Sequence, residues 1–211
     1  MFNKAYETVL HKFDSPFPSQ FKIYVHPNRA SLDKAWQTDW QMPSFKSQCW
    51  MVASGVAKKM DLLSPQIWDS ESCEHSYTNK EKTQKLITHE MIHVYHAQIN
   101  KTIDFSDQKG LDWFIEGLAV FASGQLDETR INELKVGVKE NKIPQQLEKY
   151  WSGTYRYGIS GMMVTYLHHQ YGMKGIKHIM TLKSLDDLYK HYQTSEKELI
   201  NGMLKYVDKN F

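Results

Sequence analysis

His89-Glu90-Met91-Ile92-His93 reads H-E-x-x-H, a spacing that lets two imidazoles and a carboxylate serve one metal ion. Residues four apart stand one above the other on a helical face, so His89 and His93 can converge on a common point. Glu90 lies beside His89 around the helix, placed for general-base work without being a ligand. A catalytic zinc keeps three protein ligands and leaves one position open, so a third donor is required from another element. Glu116, 23 residues beyond His93, leads: it is the one carboxylate in the stretch Trp113-Phe-Ile-Glu-Gly-Leu-Ala-Val-Phe-Ala-Ser-Gly124. An ionised group among such apolar neighbours calls for a cation. Asp112, one turn earlier, is the rival, better suited to starting that helix or orienting a ligand imidazole.

Two helices must carry these groups. Thr78 and Glu81 form a T-x-x-E capping box that starts the first near Asn79, with the motif about three turns in. From Leu86 onward Ile87, Met91, Ile92, Val94, Tyr95, Ala97 and Ile99 cover every side, the pattern of a core helix. Gly124 suits the end of the second helix, and the small residues Gly117 and Ala119 would let it approach the first closely. Residues 101 to 110 supply the loop that reverses the chain between them.

These two segments together resemble the gluzincins of the zincin superfamily, whose mark is H-E-x-x-H followed by a downstream helix bearing a Glu ligand. More narrowly, Trp113-x-x-Glu116-Gly-Leu-Ala is similar to the W-x-x-E-G-x-A segment of small bacterial peptidase-MA-like metallohydrolases. The resemblance runs from about Phe21 to the C-terminus, with only these two segments specific. The metzincin extension fails, because position 96 is His rather than Gly and position 99 is Ile rather than His. The resemblance implies Zn2+ as cofactor, held by His89, His93 and Glu116, with Glu90 as general base. It implies an oxyanion donor from the C-terminal half, for which Tyr157 is the candidate and Tyr155 its neighbour and rival. It also implies that an edge strand beside the metal helix binds an extended substrate, and Met60 to Leu63 is the candidate strand.

The remaining elements are legible only coarsely. Residues 1 to 15 read as an amphipathic helix ended by Pro16 and Pro18, Phe21 to Val25 as a half-buried strand, and Ser31 to Trp40 as a helix with Ser31 near its N-cap. Cys49 to Ala57 and Met60 to Leu63 read as strands. Leu126 to Asn141 and Tyr157 to Gln170 read as helices, the latter closing at Gly172, and a capping box at Ser195 and Glu198 opens a last helix from Glu196 to Val207. The expected fold is α+β and zincin-like, one domain over 1–211: a lobe of about 1–100 packs a small sheet on the metal helix, and a helical lobe of about 101–211 carries Glu116.

Composition excludes more than it selects. A net charge of +2 over 211 residues with interspersed Lys and Glu forms no basic stripe, which argues against nucleic acid as a partner. No segment approaches the roughly 20 apolar residues that span a bilayer, and the N-terminus lacks a signal-peptide core, so a cytoplasmic location is expected. Cys49 and Cys73 are too few for a disulfide scaffold and read as ordinary thiols. The partner expected is a peptide or protein substrate. Arg156 reads as a surface residue, and His96, His168 and His169 as structural or exposed. Two other functions fit the same site: a catalytically silent zincin-fold binding protein that retains its zinc, and a hydrolase of non-peptide amides. An intact Glu90 weighs against the first, since a structural zinc needs no general base.

Overall fold

The computed structural model describes all residues 1–211 and is α+β, with nine helices and one three-stranded sheet. The organising element is α4, Lys80–Asn100, buried almost continuously from Ile87 to Gln98. Its start differs from the expected capping box. Asn79 is the N-cap, its side chain accepting from the Lys82 N–H, while Glu81 pairs with Lys85 one turn along at 2.8 Å. Asn caps as well as Thr and stands one residue nearer the first turn, so it takes the orphan N–H.

Around α4 pack α1 (Phe2–Phe13) and α5 (Asp112–Ser123). Phe13 stacks on Tyr95 of α4 with centroids 4.8 Å apart. Each such buried ring stabilises by about 1.5–3 kcal/mol relative to exposure. As expected, α5 stops at Gly124, which adopts φ 75°. Gly117, however, does not serve the approach of α5 to α4. A Cβ there would sit 2.4 Å from the Ser160 carbonyl oxygen, so this glycine lets α5 close on α7 (Arg156–Ile179). The chain of α7 breaks at Gly172, φ 63°, where the sequence places the end of a helix, and then continues helically to Ile179.

The sheet is formed by β1 (Lys22–His26), β2 (Ala53–Val56) and β3 (Lys59–Leu63), in the order β1-β3-β2. β1 pairs with β3 in parallel and β2 with β3 antiparallel. Met60 to Leu63 therefore lies in the central strand, and the edge strand beside α4 is β2. The burial explains the correction: Met60, Asp61, Leu62 and Leu63 are all buried, the signature of a strand covered on both faces. β2 sits so close to α4 that a Cβ on Gly55 would lie 2.1 Å from the Glu90 carbonyl oxygen.

α2, Arg29–Asp39, covers the sheet, and its cap is Asn28, to which the Ser31 N–H donates. Residues 49 to 52, expected to begin this strand, belong instead to a loop over residues 47 to 52. Arg29 holds that loop, donating to Ser47 Oγ, Met51 O and the carbonyls of Gln48 and Cys49, and it also binds Glu71. Cys49 and Cys73 are not free thiols but a disulfide, Cα atoms 5.3 Å apart, joining the loop to the segment after α3 (Trp68–Glu71).

The C-terminal half continues with α6 (Glu128–Lys139), α8 (Leu185–Tyr192) and α9 (Glu196–Asn210). The Ser195–Glu198 capping box opens α9 as expected, whereas α8 has no counterpart in the sequence reading. No helix is long and apolar enough to cross a membrane.

Candidate metal centre

Three ligand-type atoms converge where α4 meets α5. His89 Nε2 and His93 Nε2 lie 3.0 Å apart, and Glu116 Oε2 lies 3.4 Å from the first and 3.6 Å from the second. Donors held about 2.0–2.1 Å from a tetrahedral zinc stand about 3.3 Å from one another, so this triangle has the size of one face of such a site. His89, His93 and Glu116 are thus a group that could hold a metal ion.

The surroundings prepare the donors. His89 Nδ1 lies 2.7 Å from Gln125 Oε1, an acceptor, so Nδ1 carries the proton and Nε2 presents its lone pair to the cluster. His93 Nδ1 is buried without a partner. Burial acts to raise the Glu116 pKa, but the His93 and His89 imidazoles outweigh it and hold the carboxyl well below the usual range, as an anion. Glu90 is not part of the triangle. Burial pushes its pKa up to about 7, with His89 and the Gly55 N–H opposing and Glu116 adding to the rise.

Two cavities meet at this point, of about 570 and 530 Å³, and both are lined by His89, Glu90, Ala53, Trp50 and Tyr157. The larger runs toward the N-terminal turns of α4 and α6; the smaller follows β2 past His93 and Glu116. Tyr157, in the first turn of α7, is thus brought to the site, and burial followed by the Glu116 charge raises its pKa, which keeps the hydroxyl protonated. Tyr155 is not brought there: its ring packs against Gly137 of α6. Asp112 opens α5 without capping it and lies outside the triangle.

The other candidates also find their places. His96 is buried against Phe105 and Phe114, and burial followed by His93 lowers its pKa to about 3. His168 packs on Phe121 and His169 on Tyr206, away from both cavities. Arg156 is no bystander on the surface but lines the smaller cavity, its guanidinium 5.8 Å from the Trp50 ring and 5.7 Å from that of Trp151.

Sequence reasoning missed Gln125 and the β2 edge. The signal for Gln125 was present: it directly follows Gly124, whose left-handed turn directs the chain back toward α4. Gln125→Ala is expected to weaken binding of a divalent metal about 10- to 100-fold, read by competition with a chelator, with Gln125→Glu retaining most of the affinity. Equal affinities for Gln125→Ala and wild type would show that His89 needs no partner. Compared with protein-family models, curated proteins and solved structures, the chain matches none.

Proposed function

We propose that the chain is a zinc-dependent peptidase of the gluzincin type, with a zincin-like fold, similar to the small peptidase-MA-like metallohydrolases. The observation that carries this reading is the position of Glu90: a carboxyl that adjoins a His-His-Glu triangle, stays out of it, and opens onto both cavities. A purely structural metal site has no use for such a group. His89, His93 and Glu116 would hold the ion, and zinc so held supplies Lewis acidity that polarises a carbonyl and lowers the pKa of water toward about 7.

The chain's own residues do the rest. Glu90 takes the proton of the attacking water and hands it to the leaving amine, a shuttle its place beside the triangle and on both cavities allows. Tyr157 donates a hydrogen bond from its hydroxyl to the oxygen that gains charge as the carbonyl carbon becomes tetrahedral. The free edge of β2 pairs with the substrate backbone, holding it extended along α4. Gly55 makes that arrangement possible, since any larger residue would push β2 away from Glu90.

The Cys49–Cys73 disulfide lies among exposed residues and favours an oxidising compartment over the cytoplasm expected from sequence. The function is tested by incubating zinc-loaded protein with an unfolded polypeptide and sequencing the products. New amino termini that are absent when a chelator is added are expected. An intact polypeptide after prolonged incubation would contradict the reading.

A further inference from the structure

The chain has six tryptophans, and their distribution is uneven. Trp36, Trp68 and Trp113 are buried in the core. The other three, Trp40, Trp50 and Trp151, all line the smaller cavity beside the metal-type triangle, together with Phe105, Ile115 and Tyr157. Partly exposed indoles gathered on one concavity mark a binding surface.

The rings are held in place rather than loosely presented. Trp40 stacks on buried Trp36 at 5.0 Å and meets Phe45 edge-on at 4.8 Å. Trp151 packs edge-on against Tyr157 at 4.8 Å. Trp50 donates to Gln48 Oε1, and its loop is fastened by the disulfide and by Arg29. The cavity is therefore formed before anything enters it, which reduces the entropy lost on binding.

Its opposite number is different. The larger cavity interleaves Glu74, Lys82, Lys85, Asp127, Arg130 and Glu133, both signs of charge side by side. Fourteen residues of α4 separate Asn79 at its far end from His93 in the aromatic one, about 21 Å of helix. An extended chain advances about 3.3 Å per residue, so the run from Asn79 to the triangle at His93 takes about six residues, and the aromatic cavity continues past the triangle along β2.

We infer that the aromatic cavity is the specificity subsite: it takes one bulky apolar side chain, aromatic or Leu/Met-like, from beside the cleaved bond of an extended peptide running through both cavities. This rests on the peptidase reading and adds to it that the substrate is cut internally and chosen on one side. Discrimination against a Lys or Arg side chain comes from the walls: Trp40, Trp50, Trp151, Phe105 and Ile115 would strip its charge of water, and Arg156, whose guanidinium lies over the Trp50 and Trp151 rings, adds a like charge that offsets Asp104 on the same cavity.

The test uses blocked peptides of Gly, Ala and Ser that carry a single Phe, Leu, Lys or Glu. Zinc-loaded wild-type protein is expected to cut the Phe and Leu peptides at a fixed offset from that residue, about 10- to 100-fold faster than the Lys peptide. Trp40→Ala and Trp151→Ala should each lower the Phe-to-Lys ratio severalfold. Binding is read separately, from the tryptophan fluorescence of the Glu90→Gln protein titrated with the same peptides, and the Phe peptide should bind more tightly than the Lys peptide. Cleavage with no preference, or a ratio unchanged in both Trp variants, overturns the subsite assignment and leaves the peptidase reading standing. Selective binding of the Phe peptide without cleavage by wild type supports the subsite and overturns the peptidase reading. Neither binding nor cleavage overturns both.

Discussion

Glu90→Gln is expected to lower peptide hydrolysis about 10²- to 10⁴-fold while the protein keeps its metal and its fold. The substitution preserves the size of a side chain that abuts Gly55 and His89, so packing of β2 against α4 should survive. It removes the group that accepts a proton, and no neighbour can replace it: Glu116 is committed to the two imidazoles, and Asp112 lies outside the triangle. Metal content should be unchanged because Glu90 contributes no donor atom. Product formation by the variant at the wild-type rate would remove Glu90 from the chemistry. A binding function, the main competitor on sequence grounds, would pass through this substitution unaltered.

Tyr157→Phe is the second large effect. The ring is fixed by Trp151 at 4.8 Å and by Arg130, whose guanidinium lies 4.9 Å from its centroid, and phenylalanine retains both contacts. Only the hydroxyl is lost. A single donor to a developing oxyanion contributes about 10²–10³ in kcat, so kcat should fall by that factor with KM little changed. A rise in KM at constant kcat would make Tyr157 a wall of the cavities and not an oxyanion donor. The same substitution at Tyr155 should leave kcat alone, since that ring packs on Gly137.

The His89–His93–Glu116 triangle was the most legible part of the molecule because local geometry determines most of it. The i, i+4 spacing aligns His89 with His93 on any straight helix, and a carboxylate in the apolar interior of a helix, as Glu116 is in α5 beyond Asp112, has few reasons to exist. Caps follow similar local rules, which is why Ser195 and Glu198 were read correctly; the start of α4 was misread by one residue because Thr78 and Asn79 both suit the role. Sheet order is another matter. β1 pairs with β3 in parallel across the whole of α2, and this pairing moves Met60 to Leu63 to the centre and leaves β2 at the edge. No local pattern encodes that.

Close approaches were equally hidden. Gly55 and Gly117 matter for what faces them, the Glu90 and Ser160 carbonyls, and a sequence does not say what a glycine faces. The thiol reading of Cys49 and Cys73 failed for the same reason, since the loop that brings them together depends on Arg29 reaching carbonyls about twenty residues away. Helix α8 is different: its eight residues are strongly amphipathic and Ser184 caps it, accepting from the Asp187 N–H, so its signal was present in the sequence and only its shortness hid it.

The most direct test of the account is the metal content of wild-type protein and of Glu116→Ala, purified without added zinc and measured by elemental analysis. The account predicts about one zinc per wild-type chain and a sharp fall in the variant, since a two-imidazole site without its carboxylate lacks both a donor and the charge that balances the ion. Wild-type protein that holds no metal even after zinc is added and the excess removed, or a Glu116→Ala protein that holds as much as wild type, would contradict it.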